Sequence, residues 1–118
     1  CVVTANKAAS GIYAAASSAT KSFTFALSAQ AALTISNSNA TSIAKGTTGI
    51  TLTTSGGSGT GLITYSVTGA GCVLSGAKLT VATTYLPGSS VACSVTATKA
   101  ASGIYAAISS IAKVFTFK

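Results

Sequence analysis

Residues 1–25, CVVTANKAASGIYAAASSATKSFTF, return almost unchanged as residues 93–117, CSVTATKAASGIYAAISSIAKVFTF. The two segments match at 19 of 25 positions without a gap. Self-similarity at a fixed offset is the mark of an array, in which neighbouring units bury what one unit cannot bury alone. The offset is about the size of one small domain. The chain therefore divides into one complete repeat, 26–118, preceded by residues 1–25, the C-terminal hairpin of a preceding or neighbouring repeat. Val3 and Val95, Phe23 and Phe115, and Phe25 and Phe117 read as core residues on strands. Tyr13 and Tyr105 read as anchors in the connection between those strands. The first copy is less apolar, with Ala16, Ala19 and Ser22 where the second has Ile108, Ile111 and Val114, so its packing partner is expected to differ. A lone two-stranded hairpin is marginal in water. Cys1, Val3, Tyr13, Phe23 and Phe25 are therefore expected to meet a neighbouring repeat or subunit rather than the core of 26–118.

Period-two alternation runs through the rest of the chain, broken by Gly, Ser and Asn clusters, and it predicts an all-β fold. Leu33 and Ile35 mark a first strand, and Ile50 and Leu52 a second. Ile63, Tyr65 and Val67 give a clean inward face, and Val73–Leu74 a short strand. Leu79 and Val81, then Val91 to Ala97, then Phe115 and Phe117 complete about seven strands. The run Ser55-Gly56-Gly57-Ser58-Gly59 reads as a turn. It lacks the Gly-Lys-Ser/Thr ending that a phosphate-binding loop needs. Pro87-Gly88 reads as a second turn. The Ala-rich stretch from Lys99 to Ser110 favours a short helical turn on propensity, limited by Gly103.

The chain has no Asp, Glu or His. General acid–base catalysis draws on those side chains, and hard metal sites need carboxylates. Zinc sites use Cys, His or carboxylate at close spacings, which cysteines at 1, 72 and 93 do not provide. A Ser–Lys pair is the one catalytic combination left, and nearly every Ser lies in a repetitive Ser/Thr background. The reading is that the protein is not an enzyme and uses no cofactor or metal. The net charge of +7 comes from scattered lysines with no Arg among them, which speaks against nucleic-acid binding. No apolar run reaches the ~18 residues of a membrane span.

Cys72 and Cys93 fall in one repeat, near two different strands, and are expected to form a disulfide, which implies an oxidising, extracellular compartment. Cys1 is the positional twin of Cys93, so its natural partner is a Cys72 equivalent outside the 26–118 unit, and Cys1 is expected to be either unpaired or bonded to a neighbouring chain or domain. Asn39-Ala40-Thr41 is the only N-glycosylation sequon, and glycans on a Ser/Thr-rich, weakly charged surface would aid solubility.

The string LTISN, GITLTTSGGSGTG, ITYSVT, GCVLSG, LTVA, CSVTATKAASGIYAAISS, FTF, spread over 31–117, resembles the immunoglobulin-like repeats of large bacterial cell-surface and adhesin-type proteins. The resemblance implies an immunoglobulin-like Greek-key sandwich, a Cys72–Cys93 pair and a role as a stalk-like spacer. The sequence departs from that pattern at Lys99-Ala100-Ala101-Ser102, where an Asp is common, and it lacks the buried Trp of antibody domains. Two roles follow as expectations. The first is a structural repeat of an extracellular fibre or surface stalk, whose partners are copies of itself or adjacent repeats. The alternative is a carbohydrate- or surface-binding adhesin module. Sugar sites present aromatic platforms, and most aromatics here fall on core positions.

Overall fold

A computed structural model describes residues 1–118, all-β and without a helix. The molecule is elongated, 93 × 21 × 17 Å. Four short strands make up its N-terminal part: β1 (Val2–Val3), β2 (Asn6–Lys7), β3 (Ala16–Ser17) and β4 (Lys21–Ser22). Nine more form the body: β5 (Leu33–Ile35), β6 (Gly46–Thr51), β7 (Thr54–Gly56), β8 (Ile63–Thr68), β9 (Cys72–Ser75), β10 (Lys78–Val81), β11 (Val91–Lys99), β12 (Ile108–Ser109) and β13 (Lys113–Phe117). All pairings between these strands are antiparallel.

The body is organised around β11. Val91, Cys93, Val95 and Ala97 point to one side and are buried, while the Ala, Ser and Thr residues between them are more exposed, as a half-buried strand requires. One edge of β11 pairs with β8, the other with β13 and then β12. A second sheet runs β6-β10-β9, and β5 pairs with β7 as a separate ribbon. The apolar sides of all three meet in one cluster: Leu33 and Ile35 of β5, Leu52, Leu79 and Val81 of β10, the four β11 residues, and Phe115 and Phe117 of β13. Burying a large apolar side chain stabilises by about 1.5–3 kcal/mol, so this cluster is what holds the sheets together.

Three expectations need correction. The body has nine strands where about seven are expected, the additions being β7 and β12. β7 takes the first part of the Gly/Ser run expected to be a turn, because Thr54, Ser55 and Gly56 pair with Ile35, Thr34 and Leu33. Gly56 serves a close approach there, since a Cβ on it would lie 2.0 Å from the Ala32 carbonyl oxygen. The Ala-rich stretch after Lys99 forms no helical turn. Ser102 and Tyr105 exchange both backbone hydrogen bonds across Gly103-Ile104. With positive φ at Gly103 (54°) and not at Ile104, this is the two-residue hairpin turn that carries Gly at its first central position. Hairpin pairing with β11 outweighs the helix propensity of alanine.

The chain enters the body along this turn. Ser28 N donates to Ile104 O (2.7 Å) and Ala106 N to Ser28 O (2.8 Å). Gln30, the only glutamine in the chain and 7% exposed, donates from Nε2 to Ala106 O (2.7 Å) and accepts from Gly59 N (3.1 Å). It thereby ties the entering chain, the hairpin tip and the 58–60 loop together.

Candidate functional site: a hairpin present twice

Residues 1–25 form a β-hairpin that pairs only with itself. β1 pairs with β4 and β2 with β3, and Ser10 bridges to Tyr13 across Gly11-Ile12. Its register repeats that of the C-terminal hairpin position for position. Val3 opposes Lys21 as Val95 opposes Lys113, and Asn6 opposes Ser17 as Thr98 opposes Ser109. Both hairpins carry an extra residue in the returning arm, a bulge that the same side chain manages in each. Ser18 Oγ accepts from Ala5 N at 3.0 Å and Ser110 Oγ from Ala97 N at 3.0 Å. Ser18 N then donates to Ala5 O, and Ser110 N to Ala97 O, both at 2.8 Å. The expected two-strand segment is thus a bulged hairpin whose arms are each split into two short strands.

Burial separates the copies. Val95, Phe115 and Phe117 are 0% exposed, whereas their twins Val3, Phe23 and Phe25 are 53%, 48% and 79% exposed. Cys1 and Tyr13 are likewise exposed, as is every residue from 1 to 29. Within 93–117 the buried positions are Cys93, Val95, Ala97, Ser110, Phe115 and Phe117. Their counterparts are Cys1, Val3, Ala5, Ser18, Phe23 and Phe25, the same residue in every case. All six sequence differences fall at positions that are exposed or half-buried in the second copy. Of these, Ile108 touches the core from its margin, and Ile111 and Val114 face outward. The six buried positions thus carry the same residues in both copies, and Ala16 in place of Ile108 is the one difference at the margin of the core.

Cys72 and Cys93 form a disulfide that ties β9 to β11 across the two sheets, and Cys1 is a free, exposed thiol. Asn39 is exposed and lines an open groove with Thr34, Thr41, Ile111, Lys113 and Val114. No group of three or more His, Cys, Asp or Glu side chains could hold a metal ion. No helix of the structure is long and apolar enough to cross a membrane.

Three residues important to the body escaped sequence reasoning. Lys45 Nζ donates to the carbonyl oxygens of Tyr85 (2.9 Å), Leu86 (2.7 Å) and Ser89 (2.7 Å). It anchors the turn where Leu86 takes a left-handed backbone (φ 44°) before Pro87. Lys113 Nζ reaches back to the carbonyls of Ile35 and Asn37. With no carboxylate to pair with, these ammonium groups bond to backbone oxygens, and nothing in the local sequence marks them. Gln30 is the third, and its singularity was the only available signal. Comparison with protein-family models, curated proteins and solved structures finds no match to this chain.

Proposed function

We propose that this protein is a structural repeat or subunit of an extracellular fibre or cell-surface stalk, joined head to tail by β-strand complementation. In this reading residues 26–118 are one immunoglobulin-like Greek-key unit, and residues 1–25 supply the last two strands of the unit before it. That unit belongs either to a longer chain or to an adjacent subunit. The observation that carries the reading is the identity of the six core-facing residues in the buried and bare hairpins. Val3, Phe23 and Phe25 would together contribute several kcal/mol on burial, at about 1.5–3 kcal/mol each. A contact between unlike surfaces that does not close on itself propagates as a filament. The Cys72–Cys93 disulfide is compatible with an extracellular location.

A carbohydrate-binding role draws less support, because the groove beside Asn39 has no aromatic side chain on which a sugar ring could stack. The head-to-tail reading is tested by fusing a second copy of residues 26–92 directly before Cys1. In the fusion the amides of Val3, Ala5 and Phe23 should become as slow to exchange as those of Val95, Ala97 and Phe115. Fast exchange throughout residues 1–25 of the fusion would overturn the reading.

A further inference from the structure

We infer that hairpin 1–25 carries a covalent lock: docked on a second copy of this chain, Cys1 takes the place of Cys93 and forms a disulfide with Cys72 of that copy. The inference rests on the head-to-tail reading and adds to it the bond, its partner atom and its route. Cys1 and Phe23 exchange both backbone hydrogen bonds, Cys1 N to Phe23 O at 2.9 Å and Phe23 N to Cys1 O at 2.7 Å. Cys93 stands opposite Phe115 in the same register. Cys93 is fully buried and bonded to Cys72 on the facing sheet. A hairpin with the same register and the same core-facing residues, seated in the same cleft, brings the Cys1 sulfur to the place the Cys93 sulfur now holds.

The bond must join two molecules. Gln30 accepts from Gly59 N, an anchor outside hairpin 93–117 in the loop before β8, whose first residue Ile63 pairs with Lys99 at the far end of β11. Docked in its own body, Phe25 would occupy the place of Phe117, which pairs with Val91 at the opposite end of β11. The five residues from Phe25 to Gln30 span at most about 18 Å. The nine residues of β11 extend about 30 Å. Hairpin 1–25 therefore cannot reach the cleft of its own unit.

The chemistry balances without an outside oxidant. The Cys1 thiolate attacks the Cys72 sulfur of the second copy, which is half-buried where Cys93 is fully buried. The Cys1–Cys72 bond forms as the Cys72–Cys93 bond breaks, and Cys93 leaves as a thiolate that takes up the proton Cys1 gave up. Cys93 departs with its own hairpin, which is then bare and able to dock on a further copy, so the exchange propagates.

The test uses the full-length chain with Cys93→Ser in a glutathione buffer, where glutathione disulfide is the oxidant and is reduced to two thiols. The expected products are multimers that collapse on reduction and yield a Cys1–Cys72 cross-linked peptide. Adding Phe23→Ser and Phe25→Ser, both on the exposed hairpin, should slow the linkage at least about tenfold by removing the docking that raises the local thiol concentration. An unchanged rate would mean chance encounter and would overturn the lock, as would cross-linking only through Cys1–Cys1. The unsubstituted chain, incubated concentrated in the same buffer, gives a second readout should Cys93→Ser fold poorly. Its peptide map should contain Cys1–Cys72 with a matching rise in free Cys93, and finding neither refutes the exchange. Hairpin protection in the tandem fusion without any Cys1–Cys72 bond would sink the lock and leave the head-to-tail reading standing. Neither protection nor bond would remove both.

Discussion

The two hairpins, 1–25 and 93–117, share sequence, register, turn and bulge, yet one is bare and the other forms the centre of the core. The difference lies outside them. The second hairpin has β8 on its free edge, β10 facing it and Gln30 clamping its tip. The first has none of these. A hairpin's internal hydrogen bonds are local and form wherever its residues are, whereas burial requires partners that come from other parts of a chain. The comparison also explains why the two copies agree where they do. The six positions buried in the second copy are the same in both, and all six differences fall at positions that are exposed or half-buried there.

The largest expected contrast comes from the phenylalanines. Phe115→Ala should destabilise the body by about 3–5 kcal/mol, the usual cost of emptying a buried aromatic site. Phe23→Ala should change it by less than about 0.5 kcal/mol, as for an exposed position. Denaturant unfolding of the two variants checks this, and equal losses would mean that the N-terminal hairpin packs on the same core.

A smaller effect is expected at the hairpin tip. Gln30→Ala leaves Ala106 O without the side-chain donor that meets it and Gly59 N without its acceptor, a loss of about 1–3 kcal/mol. Amide exchange at Tyr105 and Ala106 should speed up toward that of Tyr13 and Ala14, making the clamped tip behave like the free one. No change at Tyr105 would show that the Ser28 contacts alone hold the tip.

The smallest effect is predicted for acid. Folding stability depends on pH only through groups that bind protons differently in the folded and unfolded chain. The side chains that drive acid unfolding, Asp, Glu and His, are absent from both hairpins and from the rest of the protein. The midpoint of thermal unfolding should therefore stay level between about pH 4.5 and 7 at constant ionic strength, where no remaining side-chain type ordinarily titrates. A steep fall over that range would show that acid acts on this fold by a route other than side-chain titration.

Much of the fold was legible from alternation. The inward faces Val91–Ala97, Leu79–Val81 and Phe115–Phe117 follow directly from period two, because successive side chains on a strand point to opposite sides. The candidate site was legible from the repeat, since the same apolar residues that are buried in the second copy recur in the first, where they are exposed. Alternation could not reveal β7 or β12. Both are too short to show a period, three residues and two, and they form where β5 and β11 offer edges to pair with. Nor could it reveal Lys45 and Lys113, whose carbonyl partners are brought together by turns far along the chain.

By itself the sequence determined the conformation of each hairpin. Gly11-Ile12 and Gly103-Ile104 set the same turn, the turn set the register, and Ser18 and Ser110 closed the same bulge, all through contacts between residues near one another in the chain. Only the tertiary structure decided which hairpin is core and which is free. The two hairpins carry the same six core-facing residues, and what distinguishes them is whether the Leu33, Leu79 and Val81 surface lies within reach. For residues 93–117 it does. For residues 1–25 the short tether at Ser28 keeps the hairpin pointing away from it.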